Sequence, residues 1–336
     1  MVKAKKFILD KSFAGAPKED NFKLVEEQLG ELKKGEILVE AIWISVDPYI
    51  RPYSNHVPAG TTVMGSQIAK VISSNNENFA EGQLVFCSTG WKTHSIINPS
   101  LLEKDIMPRF YALPNFGNLS SSLGLGVLGM PGNTALFGFL NICDPKPGET
   151  VVISAAAGAV GSHVGQIAKD LGCYVIGFAG SDDKVKWLKE TLKFDAAFNY
   201  KTKDVTAALL EAAPQGVDCY FDNVGGEFSS AVIYRMNNSG RVSVCGSISS
   251  YNANTKELPK VPMLQPAIVF KQLKIEGFIV SRWGDKWMSG IERNLNLIKE
   301  GKLIYPEHIT AGFENLPQAF MGMLKGENIG KALVKV

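Results

Sequence analysis

The segment Glu149-Thr150-Val151-Val152-Ile153-Ser154-Ala155-Ala156-Ala157-Gly158-Ala159-Val160-Gly161 constrains the fold more than any other part of the chain. A short apolar, β-branched run gives a strand, and the small residues after it give a turn. Val160, Val164, Ile167, Ala168 and Leu171 then recur at helical spacing. Strand, tight turn and helix in this order open a βαβ unit. Its helix N-terminus offers free N–H groups and the positive end of the helix dipole to a pyrophosphate. A second strand signal, Tyr174-Val175-Ile176-Gly177-Phe178, follows at the distance a helical crossover needs. In the G-x-G-x-x-G template Ala156 takes the first glycine position, and Gly158 and Gly161 take the others. The segment is expected to bind a nicotinamide or flavin dinucleotide, a plain strand–turn–helix being the alternative.

From Asp144-Pro145-Lys146-Pro147-Gly148 onward, strand and helix signals alternate. Strands are expected at 150–154, 174–178, near Ala197-Phe198, and at 218–222, 241–246 and 275–280, with helices between them at 182–191 and 205–212. Such alternation predicts an α/β fold, a doubly wound parallel (Rossmann) sheet with the ligand across the carboxyl ends of its strands. Residues 1–120 read as β-rich, with strand signals at 36–46, 64–73 and 84–88. Pro48, Pro52, Pro58, Gly60, Gly82 and Gly90 punctuate them. No long helix is expected before Leu123. After a helix at 286–299, strand signals at 304–311 and 331–336 are expected to return to the β-rich part. At 336 residues the chain exceeds what one core usually supports. Two domains are expected: residues 1–124 with 307–336, and residues 125–306.

A net charge of +2 supplies no basic face for nucleic acid. No apolar run approaches the ~18 residues of a membrane helix. Met1-Val2-Lys3-Ala4-Lys5-Lys6-Phe7 is basic without a hydrophobic signal core, so a cytoplasmic location is expected. Cys87, Cys143, Cys173, Cys219 and Cys245 are odd in number and form no C-x-x-C pair, which points to reduced thiols rather than a zinc ribbon or redox dithiol.

The end of the second strand bears on the cofactor. An NAD enzyme usually places an acid there for the ribose 2′-hydroxyl. Here Ser181 stands at that position, Asp182 is expected to cap the next helix, and Lys184 follows one turn on. A hydroxyl and a cation suit a 2′-phosphate, so NADPH is expected. A β-rich domain before such a unit is similar to the zinc alcohol dehydrogenases, which require a Gly-His-Glu segment and cysteine ligands. The corresponding segment is Met64-Gly65-Ser66-Gln67, and His56, His94, His163 and His308 are scattered. No metal site is expected.

Several segments then carry a specific resemblance. They are Val46-Asp47-Pro48-Tyr49-Ile50-Arg51, Gly90-Trp91-Lys92-Thr93-His94, Leu128-Gly129-Met130-Pro131-Gly132 and the glycine turn itself. Phe198-Asn199-Tyr200-Lys201, Phe221-Asp222-Asn223-Val224-Gly225-Gly226 and residues 322–331 extend it over nearly the whole chain. The chain resembles the zinc-free medium-chain dehydrogenase/reductases, within them those that reduce enones and alkenals. The resemblance implies a GroES-like catalytic domain beside the NADP-binding one, a homodimer, and hydride transfer from NADPH to the β-carbon of an α,β-unsaturated aldehyde or ketone. Without a metal, hydrogen-bond donors must stabilise the enolate oxygen. The resemblance implies the nicotinamide ribose 2′-hydroxyl and a nearby tyrosine as donors, with Tyr251 and Tyr49 the candidates. Ala157, Gly158, Ala159, Val160 and Gly161 are implied at the pyrophosphate, and Ser181, Lys184 and Tyr200 at the adenosine phosphate. Asn223, Cys245, Gly246, Ser247, Ile248, Ser249, Tyr251, Phe278, Ile279 and Val280 are implied around the nicotinamide, with Asn328 reaching back from the C-terminal segment. Leu136 stands where an aromatic residue is expected, and residues 105–122, with Arg109-Phe110-Tyr111, depart from the family and are expected to border the substrate entrance. An NADPH:quinone reductase and a catalytically silent, crystallin-like NADPH binder are the rival readings.

Overall fold

The computed structural model describes residues 2–102, 108–253 and 260–336. The chain divides into two units, Met1–Gly129 with Glu307–Val336, and Met130–Pro306. The first unit begins with β1 (Lys3–Leu9), β2 (Phe22–Gln28), β3 (Ile37–Ser45), α1 (Ile50–Tyr53), β4 (Gln67–Ser74), β5 (Leu84–Cys87), β6 (His94–Ile97) and β7 (Phe110–Ala112). The second holds α2 (Met130–Gly138), β8 (Thr150–Ile153), α3 (Ala159–Asp170), β9 (Tyr174–Ala179), α4 (Asp182–Glu190), β10 (Ala196–Asn199), α5 (Val205–Ala212), β11 (Val217–Asp222), α6 (Gly226–Tyr234), β12 (Met236–Val244), α7 (Gln265–Phe270), β13 (Lys274–Gly277) and α8 (Trp287–Lys299). β14 (Glu307–Ala311), α9 (Leu316–Lys325) and β15 (Lys331–Lys335) complete the first unit.

In the second unit six parallel strands run in the order β10-β9-β8-β11-β12-β13. Successive strand side chains point to opposite faces. Val151 and Ile153 therefore enter one core with Val164, Val175, Cys219 and Phe221, and Val152 enters the other with Ile176, Phe178, Tyr220 and Val242. Both faces are covered by helices, which is why these strands read as continuous apolar runs. The strand order reverses between β8 and β11, the switch point where doubly wound sheets bind ligands.

The first unit is built on a mainly antiparallel sheet, β14-β15-β3-β4-β5-β7, with β6 added to β3 and a separate β1-β2 ribbon. Aromatic rings fill its core: Phe22 stacks on Trp91 at 5.7 Å and Phe7 on Phe313 at 5.4 Å. Several boundaries differ from the sequence expectation. β4 starts at Gln67 rather than 64, β12 runs from Met236 to Val244 rather than 241 to 246, with a register shift opposite β11, β13 stops at Gly277, and residues 302–306 precede β14 without strand pairing.

α3 carries a buried imidazole. His163 is 2% exposed, and among the described residues neither ring nitrogen has a hydrogen-bond partner at ordinary geometry. Burial pushes its pKa down to about 4, Asn294 offsetting only part of that effect. The unfolded chain takes up this proton near the ordinary value of 6.5 and the folded chain only near 4, so acid favours unfolding. The stabilisation is complete above about pH 6.5 and lost as pH falls toward 4, a difference of about 3 kcal/mol. Denaturant melts at pH 7.5 and pH 5 should show this slope in the wild type and a reduced one in His163→Leu; equal slopes would remove the histidine from the account.

Candidate nucleotide site

The turn after β8 is held by its own backbone. The Ala156 N–H donates to Phe178 O at 2.9 Å, and the Gly158 N–H to Ala155 O at 3.0 Å. Ala155, not Ala156, is the residue in the left-handed region, with φ +49°. Gly158 is the N-cap of α3 and supplies no side-chain cap, so the first-turn N–H groups at Ala159, Val160 and Gly161 are left for a ligand. A β-carbon on Gly161 would stand 2.5 Å from Ala155 O and 2.9 Å from Ala156 Cα. The glycine thus lets α3 press against the turn, the role the third glycine of the template has. Ala157 is buried, while Gly158, Ala159 and Val160 are partly exposed. This arrangement fits a dinucleotide pyrophosphate.

A second corner forms at the carboxyl ends of β9 and β10. Ser181 is the N-cap of α4, its hydroxyl accepting from the Lys184 N–H at 3.4 Å. This corrects the expectation that Asp182 caps: Ser181 has the extended backbone of a cap, whereas Asp182 is already helical and accepts from Asn199 Nδ2 at 2.8 Å. The Tyr200 hydroxyl lies 3.1 Å, and Lys201 Cε 3.4 Å, from the point a β-carbon on Gly180 would occupy. The Lys184 pKa is lowered, by burial first and by the Lys201 charge second. Two cations, a serine and a tyrosine therefore share one corner. The sequence gives Lys201 no role by itself; its place beside Tyr200 is the signal that puts it in this corner.

The loops after β11 and β12 are interlaced. The N–H groups of Cys245 and Gly246 both donate to Asp222 O, at 2.8 and 3.1 Å, and those of Ile248 and Ser249 donate to Asn223 O and Val224 O. The Asn223 amide nitrogen donates to Ser154 O at 2.8 Å, tying this loop to the glycine turn. The Ser247 N–H donates to the Tyr251 hydroxyl at 3.4 Å, and Ser249 Oγ donates to Val224 O at 2.6 Å. Gly225 has φ +72°, and a β-carbon there would lie 2.4 Å from Ser247 Oγ. Burial pushes the partly buried Cys245 thiol up to about 12, with Asp222 adding to the shift, so it is no nucleophile.

The other expected residues have their own local settings. Phe278 turns its ring onto Gly138, Phe221 and Trp283, so its side chain belongs to the core of its unit; Ile279 is exposed and Val280 buried. Leu136 is likewise a core residue. In the first unit the Asn328 amide nitrogen donates to Gly330 O at 2.7 Å, local turn chemistry. Tyr49 precedes α1; burial, then the Asp47 carboxylate, keeps its hydroxyl protonated far above the usual range. Within 105–122, residues 105–107 lie outside the described residues. Phe110 and Tyr111 form β7, with Phe110 in the core and Tyr111 stacked on Phe86 at 4.7 Å. Among the described residues, no group of three or more His, Cys, Asp or Glu side chains could hold a metal ion.

A doubly wound sheet with an uncapped helix at its switch point, joined to a β-rich unit, defines a dinucleotide-binding oxidoreductase. Two families match, one described as N-terminal domain of oxidoreductase over residues 5–104, the other as Zinc-binding dehydrogenase over residues 159–294. The chain is 51% identical to prostaglandin reductase 1 of Bos taurus, over all of both chains. It is 39% identical to a 2-alkenal reductase (NADP(+)-dependent) of Nicotiana tabacum, covering 100% of this chain and 98% of that protein. The crystal structure of CurA in complex with NADPH from Vibrio vulnificus superposes with a TM-score of 0.91 at 35% identity, covering 99% of each chain. The chain belongs to the medium-chain dehydrogenase/reductases, in the branch that contains prostaglandin reductase 1.

Proposed function

We propose that this protein is an NADPH-dependent reductase of the C=C bond of α,β-unsaturated aldehydes and ketones. The observation that carries the cofactor is the corner at Gly180, where Ser181, Lys184, Tyr200 and Lys201 gather and Ser181, the cap of α4, stands where an NAD enzyme usually has an acid. The class of reaction is supported by the prostaglandin, alkenal and NADPH-bound relatives.

When bound, the cofactor supplies a hydride to the β-carbon of the substrate. The protein's part is to bind, orient and stabilise. Residues 157–161 hold the pyrophosphate, and Ser181, Lys184 and Tyr200 hold the 2′-phosphate. Asn223, residues 245–249, Tyr251 and the backbone of 278–280 flank the nicotinamide, and Asn328 contributes its remaining amide oxygen. Tyr251 is the preferred donor to the enolate oxygen, since it follows a strand at the carboxyl edge of the sheet. Tyr49, kept protonated, is the other candidate. The β-rich unit is the GroES-like catalytic domain. A homodimer is supported by exposed Val269 and Phe270 on α7 and Ile279 after β13, the edge strand. Five free cysteines support a cytoplasmic location, and no helix among the described residues is long and apolar enough to cross a membrane.

NADPH absorbance should fall when the protein is mixed with NADPH and an enone such as 3-nonen-2-one. Tight NADPH binding with no turnover of any enone would establish the silent binder instead, and a preference for quinones would establish the quinone reductase. Chelation should change nothing; inactivation reversed by zinc would overturn the metal-free mechanism. In the same assay Lys184→Ala should raise KM for NADPH about 10- to 100-fold, the loss of a charged hydrogen bond, with little effect on NADH. Equal effects on both would remove Lys184 from the 2′-phosphate.

A further inference from the structure

Asp222 ends β11 and is 4% exposed. Its Oδ1 accepts from the Tyr220 hydroxyl at 2.8 Å and from the N–H groups of Val224 and Gly225 at 2.9 Å each. Its Oδ2 accepts from the Ser229 hydroxyl at 2.5 Å, and Ser154 Oγ lies 3.4 Å from Oδ1. Every one of these partners is a neutral dipole. Among the described residues no Lys, Arg or His forms an ion pair with it, unlike buried Asp47, which meets Lys331 at 2.7 Å. A carboxylate held only by dipoles keeps its field, which is strong where water is excluded.

The position gives that field a use. β8 and β11 are neighbours at the switch point, and the phosphate corner lies beyond β9, on the other side of β8. A dinucleotide laid across the glycine turn therefore has its adenosine half over β9 and its nicotinamide half over β11 and β12. Asp222 is the last residue of β11, next to Asn223, whose amide is tied to the glycine turn. During reduction the hydride leaves the nicotinamide with the electron pair of its C–H bond and forms a new C–H bond at the β-carbon. The alkene π pair becomes the C=C bond of an enolate as the carbonyl π pair moves onto oxygen, and the carbonyl re-forms when the α-carbon takes a proton from solvent. The neutral ring is left with one positive charge.

We infer that Asp222 is a fixed negative charge behind the nicotinamide half of the site, which stabilises the positive ring as the hydride departs and favours bound NADP+ over NADPH. The inference rests on the NADPH-dependent reading above. Asp222 touches neither substrate nor cofactor in this account; it acts through space, positioned by Tyr220, Ser154 and Ser229.

Asp222→Asn keeps the shape and the Oδ1 acceptor and removes the charge, and the Ser229 hydroxyl can accept from the new amide. Fluorescence or calorimetric titration should show Kd for NADP+ rising about tenfold or more relative to Kd for NADPH, the scale of a unit charge acting at an effective dielectric of about 20. The kinetic isotope effect with 4-deuterated NADPH should rise as hydride transfer slows. Ser229→Ala, on α6, removes one hydrogen bond that positions Asp222 but keeps the charge, so it should leave the NADP+ to NADPH ratio unchanged. Equal changes in both affinities in Asp222→Asn, or a shifted ratio in Ser229→Ala, would reduce Asp222 to a loop brace and overturn the inference. If Asp222→Asn does not fold, the wild type decides: NADP+ should bind at least as tightly as NADPH, and a clear preference for NADPH overturns the inference. If neither nucleotide binds, the functional reading itself fails, an outcome distinct from a ratio that does not move.

Discussion

Lys331→Met is expected to lower stability by about 3–5 kcal/mol, with the thermal midpoint falling on the order of 10 °C. Lys331 on β15 is 4% exposed, and its ammonium donates to Val46 O at 2.8 Å and to Asp47 Oδ1 at 2.7 Å. The Ser45 hydroxyl serves the other Asp47 oxygen. The pair joins the end of the chain to the turn after β3, 284 residues away, through a region closed to water. Methionine replaces most of the aliphatic stem, so the change is chiefly one of charge. It leaves Asp47 buried with a serine hydroxyl where it had a cation, and an uncompensated buried carboxylate is costly. Asp47→Asn with Lys331→Met should therefore cost less than the sum of the two single changes. A double variant whose loss equals that sum would show that the side chains act independently and that the destabilisation comes from packing.

The parts of this protein that could be read from sequence are those whose causes are local. Val151-Val152-Ile153 announces a buried parallel strand because both of its faces are covered. Ser181 and Lys184 fall on one helical turn, so their shared corner follows from spacing, although the cap is Ser181 and not the Asp182 that the sequence suggests. β1 is hidden in the sequence because the Lys residues of Lys3-Ala4-Lys5-Lys6 mask the alternation that buries Phe7 and Leu9. The start of β12 is masked in the sequence because Asn237-Asn238-Ser239-Gly240 has the composition of a turn. The structure absorbs it as an irregularity, with Ser239 at φ +61°. The setting of Asp222 was beyond reach, since Ser154, Tyr220 and Ser229 come from three elements that only the folded sheet brings together.

Gly161→Val should weaken NADPH binding by about a hundredfold or more, a loss of nearly 3 kcal/mol of binding energy, and destabilise the nucleotide-binding unit by about 1–3 kcal/mol. The reason is what the new β-carbon meets: Ala155 O at 2.5 Å and Ala156 Cα at 2.9 Å, both backbone atoms that no side-chain rotation can clear. Either α3 backs away from the turn or the turn reshapes, and Ala155, already at φ +49°, has little freedom to yield. In both cases the first-turn N–H groups no longer point together at a pyrophosphate, and a displacement of a few tenths of an ångström is enough to weaken several hydrogen bonds at once. Gly158→Ala is the control. Its backbone, φ −82° and ψ 174°, suits any residue, and its β-carbon would meet only Ala155 O at 3.3 Å. That variant should lose less than about tenfold in affinity, since its neighbour need shift only slightly. Titration of NADPH against both proteins separates the two positions. Equal losses would mean that the tight approach at Gly161 is not what shapes the phosphate site.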